Sequence, residues 1–166
     1  MKSLPISSNC AAARTSCAEV IVVDSNILIR AVLGRRVRQL FEEYAGRGVR
    51  FYAPCVAFAD AEKYLPALME KRGLPTQDLV DALNYLKTLV GPIDHEMLSE
   101  FEEDARMRLR GRDEDDWPIL AASLALACPI WSEDTDFFGT GVAVWTSNRI
   151  EIFLKAHAKS PSPESE

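Results

Sequence analysis

The sequence predicts an α/β fold, with a parallel sheet of four to five strands sandwiched by helices. Short apolar runs alternate along the chain with amphipathic segments of helical spacing, as in parallel α/β proteins. Glycine and proline separate these segments, and 166 residues suit a single domain with one core. We therefore predict one domain at residues 20–157, a flexible N-terminal extension at 1–19 and a disordered, proline-rich tail at 158–166.

Four runs are assigned as strands and six segments as helices. The strands are 20–23, 50–54, 129–131 and 142–145. The first helix opens at Ser25 and ends at Gly34, and the second ends at Gly46. The third helix follows Pro54, with a kink or break at Pro66, and the fourth spans Leu79 to Val90 and is closed by Gly91 and Pro92. The fifth spans Met97 to Leu109, and the sixth begins near Pro118.

Composition limits the classes of protein that the chain can belong to. With 19 basic and 25 acidic residues the net charge is −6, which argues against nonspecific coating of nucleic acid but allows local basic patches. The four cysteines, Cys10, Cys17, Cys55 and Cys128, are scattered without zinc-binding spacing, which predicts a reduced, cytoplasmic protein. No apolar run approaches the ~20 residues of a membrane span.

Carboxylates follow the predicted strands. Asp24 ends the first strand, and Asp134 and Asp136 follow the strand at 129–131. Because the carboxyl ends of parallel strands meet at one edge of a sheet, these side chains are expected at the same crevice. Asp116 precedes a helix, so topology alone does not place it there. Clustered carboxylates repel one another unless a cation compensates, and Mg²⁺ or Mn²⁺ prefers such oxygen ligands.

Each of these acids also has a simpler interpretation. Asp116 can be a helix N-cap, and its neighbours Asp113 and Asp115 can form a solvated turn. Asp134 and Asp136 suit an Asx-turn, and Glu62 suits a surface charge on a helix. Asp24 is the least easily explained in this way, since a buried strand gains nothing from a terminal acid, although capping remains an alternative there too.

Four short motifs occur in order along the chain. They are VVDSNILI with Asp24, DAEKYLPAL with Glu62, DDWPILAASLAL with Asp116, and PIWSEDTDFF with Ser132 and Asp134. Together, over roughly residues 20 to 150, they resemble the PIN-domain nucleases, particularly the ribonuclease toxins of bacterial toxin–antitoxin pairs. That resemblance implies a three-layer α/β/α fold and a metal-dependent ribonuclease.

The resemblance also implies roles for individual residues. Asp24, Glu62, Asp116 and Asp134 would bind Mg²⁺ or Mn²⁺. Asn26 and Ser132 would orient ligands and water, with Asp136 as a further carboxylate beside them. The register of the third motif leaves Asp113, Asp115 and Asp116 as alternatives. On the second motif Glu62 is favoured over Asp60, because Leu65 and Met69 place it beside the apolar face of its helix.

The partners expected from this interpretation are RNA, a cognate antitoxin protein and a second copy of the chain. Cations near the acids would contact RNA phosphates, and the candidates are Arg35, Arg36, Arg108, Arg110 and Arg112. Trp117 is a candidate for base stacking. The alternative function is a catalytically silent PIN-like module that binds RNA or protein.

Overall fold

The computed structural model describes residues 19–160, and its sheet has five strands that all pair in parallel. In chain order these strands are β1 Val20–Val23, β2 Arg50–Pro54, β3 Val90–Ile93, β4 Ile130–Trp131 and β5 Val144–Trp145. The predicted fold class is confirmed. The predicted extension at 1–19, apart from Glu19, and residues 161–166 of the predicted tail lie outside the described part of the chain.

Helices cover both faces of this sheet. They are α1 Ser25–Leu33, α2 Arg35–Gly46, α3 Cys55–Lys71, α4 Leu79–Leu89, α5 His95–Leu98, α6 Glu102–Arg108, α7 Trp117–Leu126 and α8 Ile150–His157. Helices α1 to α4 contact one another in one layer, whereas α5 and α6 pack on α7, which lies against β1, β2 and β4. Helix α7 is apolar all round, as expected of a helix buried between the sheet and other helices.

Strand β1 occupies the centre of the sheet, whose order is β3-β2-β1-β4-β5. From β1 the chain adds β2 and β3 on one side, and it then crosses over to add β4 and β5 on the other. In open α/β sheets the crevice at such a reversal, outside the carboxyl ends of the strands, is where ligands bind. The residues that follow β1 and β4 therefore lie at this crevice.

An aromatic cluster fixes the strands that meet at this reversal. Phe41 of α2 packs edge-on against Phe51 of β2, with ring centroids 4.8 Å apart, and its centroid lies 5.1 Å from that of Trp131 in β4. All three side chains are almost fully buried. Aromatic pairs of this kind add stability beyond the area that they bury. The cluster therefore packs α2 against β2 and β4, the two strands that flank β1.

The strand β3 was not predicted, because its sequence, VGPI, contains two residues that disfavour strands. Gly91 and Pro92 do follow the end of α4 at Leu89, as expected, but they also form the edge strand beside β2. Proline is tolerated on an edge strand because its missing N–H costs no ladder hydrogen bond there. Gly91 lies opposite Tyr52, and a Cβ at this position would lie 2.8 Å from the Tyr52 ring.

Replacing Gly91 with Ala is expected to lower the free energy of unfolding by about 1 to 2 kcal/mol, because the tyrosine ring must move to admit a methyl group. Urea unfolding monitored by circular dichroism measures this change. Gly46→Ala is the matched control, since a Cβ there meets nothing within 4 Å. Equal stability of the two variants would contradict the close approach of Tyr52 to Gly91.

Several helix boundaries differ from the predicted ones. Helix α3 continues through Pro66 to Lys71 without a break. The helix predicted from Met97 to Leu109 is divided into α5 and α6 by a 3-10 turn at Ser99–Phe101. Helix α8 was not predicted. Beyond α8, the backbone N–H of Lys159 donates to Arg47 O at 2.9 Å.

Two features bear on the class of protein. None of the helices within residues 19–160 is both long and apolar enough to cross a bilayer. Cys55 is exposed and Cys128 is buried. Cys10 and Cys17 lie outside the described residues.

Candidate active site

Asp24 ends β1 as a buried carboxylate, with 5% of its surface exposed. It is the N-cap of α1, and its Oδ1 accepts a 2.6 Å hydrogen bond from the backbone N–H of Ser25. Its Oδ2 accepts 2.8 Å from Asn26 Nδ2 and 2.5 Å from Ser132 Oγ. Asp24 therefore does cap α1, but capping needs only the hydrogen bond from the N–H of Ser25. The others fix the carboxylate in one orientation.

Ser132 and Asn26 join the ends of β1 and β4. The Ser132 hydroxyl, which is fully buried, donates to Asp24 and accepts from the backbone N–H of Asp134 at 2.9 Å. Asn26 Nδ2 also lies 3.3 Å from Ser132 Oγ, and its Oδ1 accepts from the N–H of Glu133 at 3.4 Å. Asn26 and Ser132 thus contact Asp24 directly and hold the loop that carries Asp134.

Asp134 and Asp136 lie on that loop, just beyond β4. Asp134 Oδ1 accepts from the N–H of Asp136 at 2.8 Å, which is the Asx-turn that sequence alone allows. Asp136 Oδ2 in turn accepts from the backbone N–H of Asp113 at 3.3 Å. Both acids are half-buried. One chain of hydrogen bonds therefore runs from Asp24 through Ser132 to the segment before α7.

Arg112 ties this segment to the Asp134 loop. Its Nη1 donates to the carbonyl oxygens of Asp136 and Phe138, each at 2.6 Å. Such charge-assisted bonds are stronger than neutral ones. They explain how Asp116, four residues later, comes to the edge of the sheet that carries Asp24, a placement that strand topology did not supply.

Asp116 is distinct from the acids beside it. Asp113 and Asp115 are exposed, and the Asp113 side chain accepts from the N–H of Asp115 at 3.0 Å. Asp116 is half-buried at the N-cap position of α7, yet its side chain makes no capping hydrogen bond. The capping interpretation of Asp116 is therefore wrong.

Electrostatics couple Asp116 to the rest of the site. Burial raises the pKa of Asp116 to about 7, and the charges of Asp24, Asp113, Asp134 and Asp136 add to this effect. Burial also raises the pKa of Asp24, partly offset by hydrogen bonds from Ser132 and Ser25. Four carboxylates, one that follows β1 and three from residues 113–136, thus act on the carboxyl group of Asp116. Such mutual repulsion is what a bound cation relieves.

The raised pKa of Asp116 predicts that the metal-free protein loses stability as the pH rises from about 4 to about 7. In this window the native carboxyl keeps its proton while the unfolded one is ionised, so the native state binds more protons and stability falls with pH. Since Asp116 is half-buried, solvent screening reduces the effect to about 1 to 2 kcal/mol. Asp116→Asn should remove it.

Urea unfolding in EDTA at pH 5 and pH 7.5, for the wild type and Asp116→Asn, measures this difference. Titrating groups outside the cluster contribute equally to both proteins, so the comparison reports Asp116 together with its coupling to the neighbouring acids. Asp115→Asn, an exposed neighbour, serves as the control. Parallel pH profiles for the wild type and Asp116→Asn would contradict the coupling.

Glu62 is exposed on α3. It is not among the acids whose charges raise the pKa of Asp116. Asp60, the residue not favoured by sequence, is half-buried on the same helix. The apolar face at Leu65 and Met69 is buried as expected, but it does not draw Glu62 inward.

The donor set suits a hard divalent cation in its chemistry. Oxygen ligands, an Asp116 pKa that burial and neighbouring carboxylates raise, and a rigidly held Asp24 are the properties expected of a Mg²⁺ or Mn²⁺ site. In the described part of the chain, however, no three His, Cys, Asp or Glu side chains are grouped closely enough to hold a metal ion. The acids fit such an ion by charge and type, without forming a closed set of ligands.

The arginines and Trp117 differ in how free they are to bind nucleic acid. Arg108 is paired with Asp104 and donates to Thr140 O at 3.0 Å, and Arg112 holds the Asp136 loop. Arg110 and Arg35 are exposed, and Arg36 pairs with Glu151. The ring of Trp117 is 5% exposed and contacts His95 and Arg106, so it is not available for base stacking. Sequence analysis missed the structural role of Arg112, which no sequence pattern signals.

Comparisons with known proteins bear on the family and the fold of the chain. The sequence profile of the PIN domain matches residues 22–155. Comparison with curated proteins gives no match. Three solved structures have a similar fold, at sequence identities that establish the fold alone.

The first is VapBC2 from Rickettsia felis bound to a DNA fragment from their promoter (TM-score 0.57, 13% identity, covering 76% of this chain and 98% of that one). The second is PAE2754 from Pyrobaculum aerophilum (TM-score 0.63, 12% identity, covering 92% and 99%). The third is a toxin–antitoxin complex from Klebsiella pneumoniae (TM-score 0.53, 20% identity, covering 76% and 96%).

Proposed function

The chain belongs to the PIN-domain family, and from that premise we propose that it is a ribonuclease that hydrolyses RNA phosphodiester bonds with Mg²⁺ or Mn²⁺. The observation that supports this most directly is the coupling of Asp116 to Asp24, Asp134 and Asp136 at the carboxyl edge of the sheet. A site that concentrates negative charge in this way needs a cation to act on an anionic substrate.

Asp24, Glu62, Asp116 and Asp134 are the residues proposed to hold the metal. When bound, such an ion supplies an activated water and neutralises charge on the leaving oxygen of a phosphodiester. The protein contributes orientation. Asn26 and Ser132 keep the Asp24 carboxylate in place, and the Asp136 side chain, fixed by the N–H of Asp113, adds negative charge beside it.

We assign the biological role of toxin in a type II toxin–antitoxin pair, acting in the cytoplasm with a cognate antitoxin and as a homodimer. Two of the similar solved structures are toxin–antitoxin assemblies, which supports a protein partner. A second function has one observation in its favour: within residues 19–160 no three acids are close enough to form a metal site. That favours a silent module that binds RNA or protein.

Incubating the wild type with a mixed RNA pool in EDTA, Mg²⁺ or Mn²⁺ tests the proposal. Cutting that requires the ion supports a metal-dependent ribonuclease. Calorimetric titration with Mn²⁺ is run in parallel. An absence of both cutting and Mn²⁺ binding would overturn the proposal in favour of the silent module.

Replacing Arg112 with Gln is expected to weaken Mn²⁺ binding by about tenfold, because the loop that carries Asp134 and Asp136 loses two charge-assisted bonds. Calorimetric titration measures the affinity. Arg110→Gln is the control, because Arg110 lies two residues before Arg112, carries the same charge and makes no ion pair in the described chain. This change should leave the affinity unchanged. Equal affinities in both variants would refute this role of Arg112.

A further inference from the structure

Three arginines from separate elements line one surface groove of about 250 Å³. Arg30 comes from α1, Arg36 from the start of α2, and Arg72 from the end of α3, while apolar residues of α1 and α2 form the floor. Ser147, which follows β5, also lines the groove. Of the arginines that the sequence offered as phosphate contacts, only Arg36 lines this groove.

The positive charge in this groove is only partly balanced by the protein. Arg30 Nη2 lies 4.0 Å from Glu133 Oε2, and Arg36 Nη2 lies 3.3 Å from Glu151 Oε1. Both arginine side chains are more than half exposed, at 53% and 69%, and ion pairs in such positions are weak. Arg72 has no acidic partner within 4.0 Å among residues 19–160. The groove can therefore accept an anion with little competition.

Glu133 connects the groove to the carboxylates. Its Oε1 accepts from the N–H of Ser147 at 2.7 Å, while its own N–H donates to Asn26 Oδ1 at 3.4 Å. It stands between Ser132 and Asp134 in the chain. Arg30 of the groove therefore lies 4.0 Å from a residue that is adjacent in sequence to Asp134 of the candidate site.

Three other arginines near the acids already have partners within the protein. Arg112 and Arg108 donate to backbone carbonyls of residues 136–140, and Arg106 pairs with Glu102 at 2.8 Å. A phosphodiester strand that reaches an acidic site needs cations along its path. The cations of the groove lie beside the site and are not committed to holding the fold together.

We propose that Arg30, Arg36 and Arg72 form a phosphate-binding groove that holds the backbone of the single-stranded RNA substrate next to the bond that is cut. The proposal rests on the ribonuclease function above and adds where the substrate strand lies. Recognition is electrostatic, so it is independent of base sequence and sensitive to salt.

Fluorescence anisotropy of a labelled single-stranded RNA oligonucleotide, in EDTA so that no cleavage occurs, measures binding over a series of salt concentrations. Each lost phosphate contact should reduce the slope of log K against log salt by about 0.7. For the triple variant Arg30→Gln, Arg36→Gln, Arg72→Gln we expect a reduction of about 2 and a loss of affinity on the order of 100-fold at 50 mM salt.

Arg72→Gln alone, which breaks no ion pair, should reduce the slope by about 0.7. Arg50→Gln is the charge-matched control, since Arg50 is exposed at the amino end of β2, the opposite edge of the sheet. An unchanged slope in the triple variant, or an equal change in Arg50→Gln, overturns the groove. Circular dichroism confirms that each variant is folded.

Cleavage of the same oligonucleotide in Mg²⁺ separates this proposal from the function on which it rests. If the wild type and the triple variant cleave the oligonucleotide equally fast, the groove proposal is overturned and the ribonuclease proposal stands. Binding that depends on the groove without any cleavage overturns the ribonuclease and supports the groove. If the wild type neither binds nor cleaves RNA, both proposals are overturned.

Discussion

Replacing Asp24 with Asn is expected to slow metal-dependent RNA cleavage by on the order of 10³-fold while leaving the protein folded. The change removes the one carboxylate that the fold holds rigidly at the centre of the sheet edge, with bonds to Ser25, Asn26 and Ser132. Asparagine is nearly the same size and is also a good N-cap, so its side-chain oxygen can still accept from the N–H of Ser25. We expect stability to change by only about 1 kcal/mol.

The measurement is the rate of cleavage of a defined RNA under single-turnover conditions in Mg²⁺, together with urea unfolding of each variant. Asp81→Asn is a suitable control, because Asp81 is an exposed acid in the first turn of α4. It should retain the wild-type rate. If Asp24→Asn cleaves RNA at a rate close to that of the wild type, the carboxylate cluster is not the active site.

Replacing Ser132 with Ala should lower the affinity for Mn²⁺, and with it the cleavage rate in subsaturating metal, by about 10- to 100-fold. The hydroxyl of Ser132 joins two of the proposed ligands, since it donates to Asp24 and accepts from the N–H of Asp134. Alanine leaves that N–H without a partner and frees the Asp24 carboxylate to turn. The effect is on orientation, because Ser132 itself carries no charge.

Ser132→Thr distinguishes this role from simple packing. Threonine keeps the hydroxyl and adds a methyl group at a fully buried position, so it should retain Mn²⁺ affinity within a fewfold while losing some stability. Calorimetric titration and thermal unfolding report the two properties separately. If the threonine variant loses as much Mn²⁺ affinity as the alanine variant, the hydroxyl is not the reason for the loss.

Sequence succeeded where a single local pattern carries the information. The run VIVV is buried at every position, so an acid at its end is conspicuous, and parallel pairing then brings Asp24 and Asp134 to the same edge. The placement of Asp116 could not be obtained in this way. It depends on hydrogen bonds from Arg112 to a loop 24 and 26 residues further along the chain, and such contacts have no periodic signature.

Strand β3 and the orientation of Glu62 could not be predicted from the sequence, for different physical reasons. Strand β3 contains Gly91 and Pro92, residues whose intrinsic preferences oppose strands, and only the edge position beside Tyr52 accommodates them. Glu62 was favoured because it neighbours the apolar face of α3, yet a long side chain next to a buried face can still extend into solvent. The spacing of apolar residues therefore does not determine which acid of α3 points towards the cluster.

The central position of β1 also determines when, during synthesis, the site can first exist. Strand β2 is made soon after β1 and can pair with it early, whereas β4 joins the other side of β1 only after more than a hundred residues have been added. Until then Asp24 has neither Ser132 nor Asp134 beside it. Contacts this distant in sequence form late in folding. A chain still emerging from the ribosome therefore carries its acids separately, and the carboxylate cluster is assembled only after most of the chain has been translated.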